Sequence, residues 1–244
     1  MDLLVDIGNT RLKWAWRRKE RRTPQQVAVH GGGLPGEVRR EWQAEGPPAR
    51  VFIANVAGDE MAAVCRRWME DVWRLAPRFL VACQQQMGVV NAYREPQRLG
   101  IDRWLALIAA YHRYRKPVLI VDAGSAITLD MADGNGFHQG GLILPGLKMM
   151  GDALAANTAL PPLSPQEGDG GLAVDTASAM ASGPLQAVIA LIEKMANILS
   201  AENASETVMT GGDAAMIGDR LAVPAHLAPE LVMDGLALLA EHTL

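Results

Sequence analysis

Cysteine is almost absent: Cys65 and Cys83 are the only two in 244 residues. They lack CxxC spacing, which removes a disulfide framework and a structural zinc site from consideration. The five histidines, His30, His112, His138, His226 and His242, are scattered without an HExxH or similar pairing. No GxxxxGK[ST] run occurs, which excludes a P-loop enzyme. Positive charge is not in excess either. With 23 Lys and Arg against 27 Asp and Glu the formal charge is −4, an argument against nucleic acid as the main partner. No apolar run reaches transmembrane length, so no membrane partner is expected. The N-terminus opens on a charged residue and a short strand in place of a basic and then apolar leader. A cytoplasmic, reduced protein is the expectation.

What is present is an ordinary globular balance, 49% hydrophobic and 20% charged, with length for one large domain or two moderate ones. The one dense basic stretch, Arg17 to Arg22, lies between strand-like segments and reads as the solvated tip of a hairpin, ahead of an anion-binding role. Gly31 to Gly36 formally satisfies GxGxxG, but Pro35 sits inside it, and a plain loop is the better reading.

Periodicity lays out the rest. Leu3 to Asp6 reads as a buried strand and Arg11 to Trp16 as its hairpin partner. A third strand over Val27 to His30, a short helix over Gly36 to Glu45, a strand over Arg50 to Asn55, a helix over Asp59 to Trp73 and a strand over Arg78 to Ala82 follow. Asp102 to Arg115 is the clearest helix of the first half and stops at Lys116-Pro117. From Val118 the pattern restarts: a strand into Asp122, a second over Ala126 to Met131, a hairpin signal at Asp133 to Gly136, and a helix to about Ala156. Pro161 to Gly171 is a proline- and glycine-rich loop long enough to suspect a lid. A helix over Ser178 to Ser200, a strand over Glu206 to Thr210 and a helix over Pro229 to Glu241 complete the chain. Each half opens with a hairpin and continues in strand–helix alternation, which predicts an α/β fold in two domains, 1–116 and 117–244.

The two halves share more than periodicity. Asp6-Ile7-Gly8-Asn9-Thr10 follows an apolar strand, and Asp122-Ala123-Gly124-Ser125 does so again half a chain later, carboxylate and glycine in matching places. A strand end that delivers an aspartate and then a glycine turn offers a carboxylate and bare amides to a phosphate or its metal. A single Asp-x-Gly is better read as an Asx-turn. The repeat favours a nucleotide held between duplicated halves. Lys13 is open to two readings, an exposed strand position or a mobile positive charge beside the phosphates.

Leu99-Gly100-Ile101-Asp102-Arg103 is a second constellation. Locally, Asp102 is explained by capping a helix. Alternatively, Arg103 pairs with a carboxylate or phosphate, and Asp102 beside it takes a proton from a substrate hydroxyl.

Seven segments in order then resemble one family. They are Asp6 to Thr10; Tyr93-Arg-Glu-Pro96 leading to Leu99 to Arg103; Asp122-Ala-Gly-Ser-Ala-Ile-Thr-Leu-Asp130; Gly140-Gly-x-Ile-x-Pro-Gly146; Thr158-Ala-Leu-Pro161; Asp175-Thr176 with Ala179-Met180 and Gly183; and Thr210-Gly-Gly-Asp213. Over nearly its whole length the chain resembles the type III pantothenate kinases, of the acetate and sugar kinase, heat-shock chaperone and actin superfamily.

The resemblance implies a duplicated ribonuclease-H-like (actin-like ATPase) fold with ATP in the cleft between two domains. It implies phosphorylation of pantothenate to 4'-phosphopantothenate, the first step of coenzyme A biosynthesis. ATP, magnesium, a monovalent cation (potassium or ammonium) and a homodimer with the pantothenate pocket near its interface come with it. By position, Asp6, Ile7, Gly8, Asn9, Thr10, Arg11, Leu12 and Lys13 form the first phosphate loop, with Asp6 holding magnesium through water. Asp102 is implied as general base. Tyr93, Gly100, Ile101, Asp102, Arg103 and Thr176 line the pantothenate site; Asp122 ligates the monovalent cation; Ser125 meets ATP, standing where threonine is common in the family. Thr210 to Asp213 falls where the superfamily has its adenosine loop. Two competing readings are a kinase for another small hydroxylated substrate and a non-catalytic nucleotide-binding regulator. The second of these is expected to have lost Asp6, Asp102 or Asp122, and all three are present.

Overall fold

Six consecutive buried residues, Asp2–Ile7, form the first strand, β1. Such a run is what a strand covered on both faces requires. The computed structural model describes residues 1–19, 21–160, 170–200 and 204–242. The lid expected over Pro161 to Gly171 lies, from 161 to 169, outside the described residues. The chain divides into two compact units, residues 1–109 with 230–244, and residues 110–229.

In the first unit β1 is followed by β2 (Arg11–Arg18), β3 (Arg21–Arg22), β4 (Gln26–Val29), α1 (Gly36–Glu45), β5 (Arg50–Asn55), α2 (Asp59–Trp73), β6 (Arg78–Phe79), β7 (Gln85–Gln86), β8 (Val89–Val90) and most of α3 (Ile101–Tyr114), whose residues from Ala110 on fall in the second unit. In the second are β9 (Val118–Ala123), β10 (Ala126–Ala132), β11 (His138–Pro145), α4 (Leu147–Asn157), α5 (Thr176–Ser200), β12 (Glu206–Thr210), α6 (Ala214–Gly218) and β13 (His226–Leu227). The last helix, α7 (Leu231–His242), belongs to the first unit, where it packs on β1, β2 and β5.

The sheets repeat one topology. The first runs β3-β2-β1-β5-β6, with β4 also on β2, and the second runs β11-β10-β9-β12-β13. In each, an antiparallel hairpin opens the unit, and its first strand then pairs in parallel with a later one. The register makes Asp6 and Asp122 equivalent. Asp6 faces Lys13 on β2 and Ala54 on β5. Asp122 faces Thr128 on β10 and Thr210 on β12.

Alternation along β1 sends Leu3, Val5 and Ile7 into one core with Val38, Trp42, Met61, Cys65 and Met69 of α1 and α2. Five of the six tryptophans, Trp14, Trp16, Trp42, Trp68 and Trp73, meet there edge to face or tilted, which fixes α1 and α2 on the sheet. Asp2, Leu4 and Asp6 share the other face. Asp2 takes a bidentate hydrogen bond from Arg50, at 3.0 and 2.8 Å, and Arg50 also reaches the Ala240 carbonyl of α7 at 3.3 Å. Helices α3 and α7 touch through backbone, because a side chain at Gly235 would run into the Leu105 carbonyl. The second unit packs Leu119, Val121 and Leu129 against Leu185, Val188 and Ile192 of α5.

Two local expectations change. The basic run forms the expected hairpin turn, with Arg17 opposite Arg22. It is not simply solvated. Arg17 is buried 3.5 Å from Asp2, while Arg22 pairs with Glu230 at 2.7 Å and Asp234 at 2.6 Å. Partners some two hundred residues away, at the start of α7, draw the guanidinium in. The strand expected to Ala82 pairs only over Arg78–Phe79, and Val81 faces solvent. The glycine run at 31–36 leads from β4, an antiparallel partner of β2, into α1, so it lacks the parallel βαβ setting of a dinucleotide loop.

Candidate active site

Asp6 stands at the carboxyl end of β1, 5% exposed, where open α/β sheets bind ligands. Across the hairpin, Lys13 Nζ lies 3.7 Å from its Oδ2, and the lysine is only half-buried. The turn between them closes with the Gly8 amide donating to the Arg11 carbonyl at 3.0 Å, leaving Asn9, Thr10 and Arg11 exposed. Ile7 and Leu12 turn their side chains into the core, so only their backbone is available to a ligand. His30, at the end of β4, braces this turn. Its Nε2 donates to the Gly8 carbonyl at 2.7 Å, and its amide donates to the Thr10 carbonyl at 3.1 Å. The Gly32 amide donates to the other ring nitrogen at 3.3 Å, so both ring nitrogens are engaged with backbone.

Helix α3 begins one residue earlier than its sequence pattern suggests. The Gly100 carbonyl accepts the first helical hydrogen bond, from Trp104, so Asp102 sits inside the first turn and is not the cap. Its Oδ1 accepts the Arg103 amide at 2.8 Å. Gly100 makes room for that carboxylate: a Cβ there would lie 2.5 Å from Asp102 Oδ1. Arg103, 8% exposed, donates from Nη1 to the Tyr93 hydroxyl at 2.9 Å, with its guanidinium 5.7 Å from the Tyr93 ring centre. A buried guanidinium held on a tyrosine is a fixed donor for a planar anion. Ile101 is buried beside it.

In the second unit Asp122 ends β9 in the place equivalent to Asp6, and glycines surround it. Gly211 has φ +95°, and a Cβ there would press on the Ala123 carbonyl and come within 2.5 Å of Asp122 Oδ1. A Cβ on Gly146 would lie 2.5 Å from the Gly124 carbonyl oxygen and 2.6 Å from that of Ser125. Asp213 and Gly146 donate their amides to the Ala123 and Ser125 carbonyls, at 2.9 and 3.1 Å. The Asp122 carboxylate and the Ala123 carbonyl thus meet at Gly211, and the Gly124 and Ser125 carbonyls meet at Gly146, where side chains are excluded. Ser125 is exposed at the tip of the β9–β10 turn.

Thr176 is the first residue of α5 and is exposed. Its neighbour Asp175 caps that helix, accepting the Ser178 amide at 2.9 Å and hydroxyl at 2.7 Å, bonds that hold its carboxyl below the usual carboxylate range. The structure therefore brings together Asp6 with Lys13, Gly100 with Asp102, Tyr93 with Arg103, and Asp122 with Gly124, Thr210 and Gly211. His30 and Asn91, which braces the Tyr93 loop, escaped sequence reasoning because their partners are backbone groups of other segments.

Among the described residues no group of three or more His, Cys, Asp or Glu forms a protein-only metal cage. One carboxylate at Asp6 beside an exposed glycine turn is a donor set of the kind magnesium uses, which binds through one or two carboxylates, substrate phosphates and water. The Asp122 carboxylate, with the Ala123 carbonyl near it, offers oxygen donors of the kind a hard cation takes.

The sequence model of the type III pantothenate kinase family matches residues 2–198. A type III pantothenate kinase of Nitrosococcus oceani is 40% identical over 253 residues, covering 100% of this chain and 95% of the relative. That of Nitrosomonas eutropha is 36% identical, covering 98% and 94%. Among solved structures, a protein assigned as a 2-dehydro-3-deoxygalactonokinase from Sinorhizobium meliloti superposes with TM-score 0.64 at 14% identity, over 99% of each chain. At that identity the likeness establishes the fold, that of the sugar kinases and actin-like ATPases.

Proposed function

The chain belongs to the type III pantothenate kinase family, and we propose how its residues divide the work. The reaction is the ATP-dependent phosphorylation of pantothenate in coenzyme A biosynthesis. The hydroxyl oxygen of pantothenate bonds to the γ-phosphorus of ATP, the bond to ADP breaks, and the hydroxyl proton passes to a base. Phosphoryl transfer asks a protein mainly for positioning and charge neutralisation.

Asp102 is that base. The observation that carries the assignment is its setting, a carboxylate in the first turn of α3, placed by Gly100 and next to the Tyr93-held Arg103. Arg103 and Tyr93, with Gly100, Ile101 and Thr176, hold pantothenate, whose carboxylate matches the guanidinium. The amides of Asn9 and Thr10 and the Thr10 hydroxyl, on the turn that the Gly8 amide closes, receive the ATP phosphates together with Lys13. Magnesium, when bound at Asp6, neutralises phosphate charge. Asp122, with the Ala123 carbonyl near it, holds potassium or ammonium, and Ser125 meets ATP.

The active species is a homodimer. Among the described residues strand β11 pairs only with β10, and it exposes Leu142 and Ile143, at 42% and 65%, while the following helix exposes Met149 and Leu154. An edge strand with exposed apolar side chains is relieved by a second copy. Among the described residues no helix is long and apolar enough to cross a membrane. The cytoplasmic setting expected from the sequence belongs to the same reading.

A coupled ADP assay tests the proposal. ADP formation is expected to require pantothenate and to be higher in potassium than in sodium. Equal rates in the two salts sink the cation assignment. ADP formation indifferent to pantothenate sinks the reaction.

A further inference from the structure

Between β6 and α3 the chain makes little regular structure, only the two-residue strands β7 and β8 and a single 3₁₀ turn at Pro96–Arg98. Such a segment has little hydrogen bonding of its own, yet it carries Tyr93. One buried side chain supplies the missing order. Asn91, 3% exposed, uses its whole carboxamide: Oδ1 accepts the Tyr93 amide at 2.9 Å, and Nδ2 donates to the carbonyls of Cys83 at 3.3 Å and Pro96 at 3.2 Å. Its own amide donates to the Gln84 carbonyl at 2.9 Å, and its carbonyl accepts Gln84 Nε2 at 3.1 Å. Both ends of the loop and Tyr93 itself are thus tied to one residue.

A separate contact holds the hairpin on α3: Trp104 Nε1 donates to Gln86 Oε1 at 3.2 Å. That contact fixes where the hairpin lies. It does not fix the path from 91 to 96, which rests on Asn91.

We propose that Asn91 is a positioning residue of the substrate site, setting the Tyr93 hydroxyl that holds Arg103 for the pantothenate carboxylate. The inference rests on the reading that Tyr93 and Arg103 hold pantothenate. Asn91 touches no reacting atom. It acts through Tyr93, and a shift of about an ångström in such a group is enough to cost one or two orders of magnitude in rate or affinity. Aspartate is a poor substitute, since it sets a carboxylate against the Cys83 and Pro96 carbonyls, and alanine frees the loop.

The test is steady-state kinetics of the full chain, with pantothenate and ATP varied separately. Asn91→Ala is expected to raise KM for pantothenate about tenfold, with KM for ATP unchanged. In a Tyr93→Ala background the same substitution is expected to change the pantothenate KM by less than about twofold, because residues acting through one another are not additive. Asn91→Ser keeps an oxygen for the Tyr93 amide and is expected to give a smaller rise; it serves if the alanine variant does not fold. The proposal is overturned if the Asn91 effect is undiminished in the Tyr93→Ala background. It is also overturned if kcat falls with both KM values unchanged, the mark of a smaller folded fraction. If Tyr93→Ala itself leaves the pantothenate KM unchanged, the reading of the site fails and takes the proposal with it. If only the Asn91 variants are silent, the site reading stands and the proposal alone falls.

Discussion

Lys13 Nζ lies 3.7 Å from Asp6 Oδ2, straight across the first hairpin. The equivalent aspartate, Asp122, faces Thr128 across the second hairpin. One strand end therefore carries its own cation, while the other presents a carboxylate opposite a hydroxyl. Under the proposed division of labour the first end receives the ATP phosphates and the second a monovalent cation. Lys13→Met is expected to lower kcat/KM for ATP by on the order of tenfold to a hundredfold, the worth of one charge-assisted contact. Steady-state kinetics at saturating pantothenate checks it, and an unchanged value returns Lys13 to a surface role.

Gly100→Ala places a methyl 2.5 Å from the present position of Asp102 Oδ1, so the carboxylate has to swing away. Alanine does not disturb the helix start, since Gly100 has no positive φ. The expected result is a fall in kcat of about tenfold or more with unchanged circular dichroism. Full activity means that the carboxylate works from another position.

Gly211→Ala meets two obstacles. The φ of +95° is strained for any side chain, and the methyl runs into the Ala123 backbone and Asp122 Oδ1. The conformational strain alone is worth about 1–3 kcal/mol. A lower melting temperature and a higher potassium concentration for half-maximal activity are expected. A destabilised variant with unaltered potassium response separates the glycine from the proposed cation site.

Burial pushes the Cys65 thiol up to about 12, from an ordinary value of 9.0. The unfolded chain ionises this thiol near 9, while the folded chain holds it neutral. Stability is therefore undiminished below pH 9 and falls above it, by at most about 1.4 kcal/mol per pH unit, until the folded thiol also titrates. Denaturant melts between pH 8 and 11 are expected to show this slope in the native chain and not in Cys65→Ala. A thiol reagent at pH 8 is expected to label half-buried Cys83 and spare Cys65.

Much of this fold was legible because local signals agree with packing. The apolar runs at Leu3 and Val118 are the central strands β1 and β9, and the apolar Leu105, Ile108 and Ala109 lie in α3 as expected, although the helix is buried all round from Arg103 to Ala110 and not on one face. The Asp-x-Gly repeat marked the two equivalent strand ends, which the sheet registers place in matching positions. Other features depend on distant groups. Nothing near Arg22 announces Glu230 and Asp234, and nothing near Asn91 or His30 announces the carbonyls they hold. A histidine or asparagine that braces another segment's backbone has no spacing rule, because its partner is present in every residue.

The most direct test of the chemistry is Asp102→Asn, measured as pantothenate-dependent ADP release alongside calorimetric binding of pantothenate. The isosteric change keeps an oxygen for the Arg103 amide and removes the proton acceptor. Turnover is expected to fall about 10²–10⁴-fold while pantothenate still binds. Full turnover in this variant contradicts the assignment of Asp102 as the base.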